Sequence, residues 1–433
     1  MHLRSKNLKF VLFTLFSVFP FFANAQITIR GNVRDEVTGA PIPDASVYYN
    51  FTKIGTKTNE AGNFMLYADG EYKDLVISCV GYEKVSVASV VKNAQLKITL
   101  KPINQSLKEV IIGNQTKENP DEWKKWEKLF FTLLMGDNSH AYYPAKIINP
   151  EVIKFHYNKK MNTLTATNYE PIYIDHVMLG YKIKLDLEEF SYNFLTEELV
   201  YRSSVFFEEQ LNYAKRDNIQ YQTNLAYFGS KAHFFKALVD NKLAEEGFKL
   251  FRYQSVKNKE RDRVVNVINK LKLERISSDQ IKSTFAWNDL VKNKDSLKYY
   301  QEFLAQPAVL AKTITEISKD SISSFDPVSK LTLINFKDSI LVEYTPLKER
   351  YAMHLSSSYI IPEHGKKEEP KQETVVFLIN TEPFYLTEQG YALTNTLKTT
   401  GIMGSIRLAQ RLPYDFDPSV PRFKAKRDEP KTH

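Results

Sequence analysis

"IRGNVRDEVTGAPIPDASVYYNFTKIGTKTNEAGNFML", residues Ile29–Leu66, decides how the chain is built. Short apolar runs are separated by clusters of Gly, Pro, Asn and Asp, the pattern of strands joined by tight turns. "QITIRGNV" alternates, with Ile27, Ile29 and Val33 as its apolar positions. "TGAPIPD" is a Gly/Pro turn, "ASVYYN" a second strand, "NEAGN" another turn and "FMLYA" a further strand. "LVISCVGY" and "LKITLK" close the set. Strands every roughly 8 to 12 residues with turn chemistry between them predict a small β-sandwich over 26–103. Gly39 and Gly62 fall where the turns need φ > 0, and Gly81 lets a strand bend before Tyr82.

"GNVRDEVTGAPIPDASV", "TNEAGNF", "ISCVGYE" and "ITLKP" resemble the carboxypeptidase regulatory-like domain, a transthyretin-like sandwich. That module accompanies metallocarboxypeptidases and precedes the plug of large outer-membrane nutrient receptors of Gram-negative bacteria. The resemblance covers less than a fifth of the chain. It implies a fold, and a role in folding, docking or assembly rather than catalysis.

The residues before it read as an address. Arg4, Lys6 and Lys9 precede an apolar run, Phe10 to Phe22, and Ala23-Asn24-Ala25 is a small-x-small cleavage site. The run is shorter than the ~20 residues of a membrane span. The expectation is an exported protein that begins at Gln26 and has no transmembrane segment after cleavage. Loss of the three basic residues lowers the formal charge from +8 to +5. That mild excess, with export, argues against a nucleic-acid partner. "RFKAKRDEPK" concentrates the late positive charge and is expected to be a solvated tail. Cys79 is the only cysteine, which excludes an internal disulfide; it is expected to be a buried, inert apolar residue.

The sandwich is joined to neither of the family's usual companions. A catalytic zinc needs clustered His and carboxylate ligands. His140, His156, His176, His233, His354, His364 and His433 are scattered singly, so no metal and no cofactor is expected. The remaining roughly 310 residues are too few for a 22-stranded receptor barrel. "NQSLKEVIIGNQTKE" (104–118) reads as a linker into a helix. Asn119 is its cap, Pro120 its first turn, and Trp123, Trp126, Leu129, Phe130, Leu133 and Leu134 its apolar stripe, with Gly136 as its stop.

Strands come next. In "GYKIKLDLEEF", Tyr181, Ile183, Leu185 and Leu187 share one face and Lys182, Lys184, Asp186 and Glu188 the other, the pattern of a half-exposed antiparallel strand. "ELVYRSSVFF" is its expected partner. A second helix starts at Ser230 and buries Phe234, Phe235, Leu238, Val239 and Leu243 before Gly247. Residues 255–325 are ambiguous between helix and strand. "KLTLINF", "SILVEYT" and "TVVFLIN" are strand-like. "WKKWEKLFFTLLMGDNSHAYYPAKIINPEVIKFHY" and "YFGSKAHFFKAL" resemble Gram-negative envelope proteins that carry the same first module, a likeness that implies no chemistry.

Motifs for catalysis are thin. There is no nucleophile elbow and no phosphate-binding Gly loop. Glu188-Glu189, Glu197-Glu198 and Glu208-Glu209 sit on strand-like runs, so each pair should point to opposite faces and into solvent. His233, near the start of its helix on the polar side, is expected to be exposed. Asp295-Ser296-Leu297, Asp320-Ser321-Ile322 and Asp338-Ser339-Ile340 are similar to an O-glycosylation acceptor pattern. The candidate ligand-binding residues are His140, Tyr142 and Tyr143, on a loop after a helix end, and His233. No residue is assigned a catalytic role.

The reading is therefore a multidomain protein: an N-terminal all-β transthyretin-like sandwich, then an α+β domain with antiparallel sheet. Its divisions are a signal peptide (1–25), the sandwich (26–103), a linker (104–118), the α+β domain (119–416) and a basic tail (417–433). The expected role is a non-enzymatic envelope protein, periplasmic, outer-membrane associated or at the cell surface, that binds or assembles envelope proteins or glycans. The competing reading is a hydrolase acting on glycan or peptide. A deep pocket with converging carboxylates or a His–carboxylate pair would favour the second; a flat aromatic face or an exposed strand edge would favour the first.

Overall fold

The computed structural model describes residues 27–68, 74–88, 94–103, 121–136, 145–274, 287–347, 371–394, 396–420 and 422–423. The leader (1–25), the linker (104–118) and the loop holding His140, Tyr142 and Tyr143 lie outside them. The sandwich consists of β1 (Ile27–Asp35), β2 (Ser46–Tyr49), β3 (Gly55–Lys57), β4 (Asn63–Ala68), β5 (Leu75–Ser78), β6 (Val85–Val87) and β7 (Gln95–Leu100). One sheet runs β4-β1-β7, with β1 antiparallel to β4 and parallel to β7; the other runs β3-β2-β5-β6. Alternation along β1 turns Ile27, Ile29 and Val33 inward. Ile29, Val33, Val47, Leu75, Ile77 and Leu100 fill the space between the sheets and are fully buried. At Gly62 φ is +73°, and a Cβ would meet the carbonyl oxygen of Val33 at 2.4 Å, so only glycine fits the turn.

The second part rests on α1 (Asp121–Met135), which lies against a sheet of β8 (Lys146–Ile147), β9 (Ile153–Asn158), β10 (Thr163–Asn168), β11 (Ile172–His176), β12 (Tyr181–Asn193) and β13 (Glu198–Glu209). The order is β8-β11-β12-β10-β9, with β13 along the other side of β12. Trp126, Phe130 and Leu134, one turn apart, form the buried line of α1. The Phe130 ring centroid lies 5.3 Å from that of Phe155 and 4.9 Å from that of Phe190. Gly136 ends the helix at φ +106°.

The inner face of β12 is as expected: Tyr181, Ile183 and Leu185 are fully buried. Its polar face is only partly solvated, because the sandwich meets it: Lys182, Lys184 and Asp186 are half-buried and Glu188 is exposed. Lys184 donates to Ser46 Oγ at 3.0 Å and Ser78 Oγ at 2.9 Å, and Lys84 pairs with Glu188 at 3.1 Å. The Phe51 N–H donates to the Val205 carbonyl at 2.7 Å, and the Phe207 N–H to that of Thr52 at 3.0 Å. The chain at Thr52 thus bridges β13 in parallel. Burial pushes the Lys184 ammonium below its ordinary range, against the opposing pull of Asp186. Of the carboxylate pairs, Glu197, Glu198 and Glu208 are exposed as expected, while Glu188 holds Lys84, Glu189 holds Arg202 across the β12–β13 hairpin, and Glu209 holds Lys53 and Arg422.

The third part is entered through α2 (Arg216–Tyr227) and α3 (Lys231–Val239). Helix α3 packs on a sheet of β14 (Phe248–Lys257), β15 (Val309–Glu316), β18 (Ser339–Tyr344), β19 (Gln372–Leu378) and β21 (Leu397–Gly401), in the order β15-β14-β18-β19-β21. A smaller sheet joins β16 (Ser323–Asp326), β17 (Leu331–Ile334) and β20 (Phe384–Leu386). The ambiguous stretch is mostly helical. Helices α4 (Lys259–Glu274), α5 (Trp287–Leu290) and α6 (Lys294–Ala305) enclose a small core of Val264, Ile268, Leu290 and Val291. Ser230 caps α3 as expected, but the helix ends well before Gly247, because Asn241 takes a left-handed conformation at φ +59°.

The single α+β domain expected over 119–416 therefore holds separate cores, and the last described segment ties them to the sandwich. After α7 (Ile402–Ser405), Leu408, Ala409, Leu412 and Phe416 enter the core beneath α1. Tyr414 donates its N–H to the Phe51 carbonyl at 2.8 Å, and Asp415 accepts from the Lys53 N–H at 2.9 Å. The expected solvated tail begins inside this packing. Arg422, with its side chain 5% exposed, donates to the carbonyls of Leu179 at 2.8 Å and Gly180 at 3.1 Å, pairs with Glu209 and stacks 4.2 Å from the Tyr181 ring centroid. An arginine so enclosed by acceptors and an aromatic face gains more from the protein than from water.

Candidate functional site

The three parts meet around a cavity of about 1050 Å³. The sandwich contributes Asn50, Phe51 and Asp74. Strand β13 contributes Tyr201, Arg202 and Ser203, and the start of α3 contributes Lys231, Ala232 and His233. The turn at Gln389–Thr394 and the last segment, with Arg411 and Tyr414, complete the wall. Gly390 permits the close approach of that turn: at φ +79° its Cβ would lie 2.9 Å from the Lys236 backbone nitrogen.

Arg411 sits at the seam between sandwich and last segment. Its guanidinium lies 4.0 Å from the Phe51 ring centroid, and Nη2 donates to the Tyr414 hydroxyl at 2.6 Å. Tyr414 packs on Tyr391 at 4.6 Å between centroids. Burial works against the Arg411 charge, but the nearby hydroxyls of Tyr414, Tyr201 and Tyr391 favour it, and it stays fully protonated. Lys231 is the first residue of α3. Among the described residues no side chain or carbonyl hydrogen-bonds or ion-pairs with its ammonium. Burial first, and the Arg411 charge second, lower its pKa from 10.5 to about 8. No carboxylate acts on it to offset them.

His233, expected to be exposed, is 2% exposed and reaches the cavity only as part of its wall. The Gly229 N–H donates to Nδ1 at 3.0 Å, so that nitrogen carries no proton and Nε2–H donates to Glu246 Oε2 at 3.0 Å. Phe248 and Tyr227 close on the ring at 4.8 and 5.1 Å. The buried face of the helix is wider than its Phe and Leu positions alone and takes in His233 beside Phe234, Phe235, Ala237 and Leu238. A His–carboxylate pair is thus present, yet both ring nitrogens are held by protein. That arrangement pins the loop at Gly229 to the turn at Glu246 and leaves no nitrogen turned toward a substrate.

Among the described residues no group of three or more His, Cys, Asp or Glu is placed to hold a metal, and no helix is long and apolar enough to cross a membrane. Cys79 is half-buried at the edge of the sandwich core, and burial raises its thiol pKa, away from nucleophilic use. Of the serines in the Asp-Ser-apolar triplets, Ser321 is exposed, and Ser296 and Ser339 are half-buried. The cavity's main cations were not singled out from sequence. Lys231 offered a signal: it directly follows a capping serine, where the helix dipole favours acidic residues.

Residues 29–112 match the CarboxypepD_reg-like domain family. This is the sandwich expected from the turn and strand pattern. Two relatives share that region. A TonB-dependent receptor P39 of Formosa agariphila is 36% identical over 107 residues, 24% of this chain and 10% of the relative. The TonB-dependent receptor SusC of Bacteroides thetaiotaomicron is 36% identical over 97 residues, 22% of this chain and 9% of the relative. The chain spans about a tenth of the length of these relatives. A chain of a type II cohesin–X-dockerin complex from Acetivibrio cellulolyticus aligns with a TM-score of 0.15 at 21% identity, over 17% of this chain and 56% of that one. A superposition that poor says nothing about the fold.

Proposed function

We propose that this is an exported, non-enzymatic protein of the cell envelope that binds an envelope component in the cavity between its three parts. The observation that carries the reading is the wall itself. It is built from all three parts and lined by aromatic rings, cations and carboxylates, while its histidine is locked by two hydrogen bonds. Such a wall suits holding a ligand, and its histidine turns no free nitrogen toward a substrate. The match of residues 29–112 and the two TonB-dependent receptors that share it support a place in the envelope, periplasmic or at the outer membrane. The sandwich acts in this reading as one wall of the site and as a docking module for the β12–β13 hairpin.

The test is site-directed photo-crosslinking in the native envelope. A crosslinker at Ala232, exposed and on the cavity wall, should capture a discrete protein or glycan. The same group at Val328, 92% exposed and off the wall, should not. Identical adducts from both positions, or turnover of glycan or peptide substrates by the purified protein, would sink the proposal.

A further inference from the structure

We propose that the cavity takes a ligand that carries an oxyanion, a phosphate or carboxylate group on a sugar-sized body, seated between Lys231, Arg411 and the N-terminus of α3. The inference rests on reading this cavity as a ligand site and names the chemistry of what enters it.

Three positive features converge there from distant parts of the chain. Lys231 is half-buried and brings an ammonium that has no partner among the described residues. Arg411 brings a guanidinium whose described neighbours are aromatic rings and a tyrosine hydroxyl. Helix α3 brings its positive end. The N–H groups of His233 and Phe234 are used by the cap, but among the described residues nothing accepts from those of Lys231 and Ala232. Two cations that repel each other beside a helix N-terminus are costly to leave unmatched. An anion placed among them relieves all three.

The cavity is also lined by six carboxylates, Asp74, Glu188, Asp240, Glu246, Asp415 and Asp417, and each of them has a partner in the protein. Glu246 holds His233, Asp240 holds Lys236 at 2.6 Å, and Glu188 holds Lys84 and Ser204. Asp415 accepts from the Lys53 N–H, and Asp417 from Ser419. The volume of about 1050 Å³ is far beyond a bare ion. Tyr201 and Tyr414, both half-buried, line it and offer ring surface to a sugar.

Isothermal titration of the full exported chain decides the matter, with glucose 6-phosphate, glucuronate and neutral glucose as probes at one ionic strength. At least one anionic sugar should bind about tenfold or more tightly than glucose, and Lys231→Met should weaken it by about tenfold, whereas Lys231→Arg should restore it. A preference for the phosphate or for the carboxylate tells the two sources apart. Equal binding of all three sugars, no binding of any, or identical titrations of wild type and Lys231→Met would overturn the proposal. If Ala232 still crosslinks a partner after that result, the ligand class falls and the binding role stands.

Discussion

Replacing Lys231 by Met should make the ligand-free protein more stable. The ammonium's pKa falls from 10.5 to about 8 on folding. Each unit is worth 1.36 kcal/mol, so the native state carries a penalty with a ceiling of about 3 kcal/mol. Solvent that reaches the partly exposed side chain screens some of it, and the gain expected at pH 7 is about 1–2 kcal/mol. Met keeps the apolar stem buried, so little packing is lost. The sign comes from linkage. A lysine whose folded pKa is depressed costs stability below about pH 8; between there and 10.5 the unfolded chain binds the extra proton, so stability rises with pH. Melts of wild type and Lys231→Met at pH 7 and pH 10 should therefore show a gap of a few degrees in favour of the variant at pH 7 that narrows at pH 10. A variant that melts lower at pH 7, or a gap indifferent to pH, would refute the claim that an unmatched charge is held in the cavity.

The seams between the parts set further outcomes. A protease should cut between Asn104 and Glu118, but the pieces should co-elute in gel filtration, because the sandwich is hydrogen-bonded to β13 and to the last segment. Phe51→Ala removes the ring under Arg411 and beside Tyr414, at a cost of about 2 kcal/mol, and the same cut should then release a separable sandwich. His176 is fully buried, with Nε2–H donating to the Ala409 carbonyl at 2.8 Å, and burial depresses its pKa below the ordinary 6.5. Its contribution is present above pH 6.5 and is lost as pH falls below that value, so His176→Gln should flatten the decline of the melting temperature between pH 7 and pH 5. Intact-mass analysis of the exported protein should find Gln26 as the first residue; a retained Met1 would end that claim.

The parts of this fold that were legible in the sequence are those whose signal is local. Strand β1 and the inner face of β12 show period-two alternation in their own residues, and Gly62 announces its turn by being glycine. The outer face of β12 was misleading for a physical reason. Lys184 and Asp186 look solvent-facing in sequence, yet this face meets Ser46 and Ser78, more than 100 positions away, which supply Lys184 with polar partners inside an interface. His233 misled in the same way, since its two hydrogen-bond partners make burial of an imidazole affordable. The cavity was invisible because Phe51, Lys231 and Arg411 converge only in three dimensions. His140, Tyr142 and Tyr143 lie outside the described residues.

The bond between Lys53 and Asp415 spans 362 positions of the chain. A contact of that separation cannot be made until nearly the whole polypeptide has been synthesised. The sandwich emerges first and can close on its own, but its Phe51 corner must wait for nearly everything else to arrive. Ribosome stalling or proteolytic clipping between the sandwich and Arg411 would yield a particle with a finished front end and a gaping junction. The cavity wall is thereby complete only in molecules whose synthesis has run through Ser419.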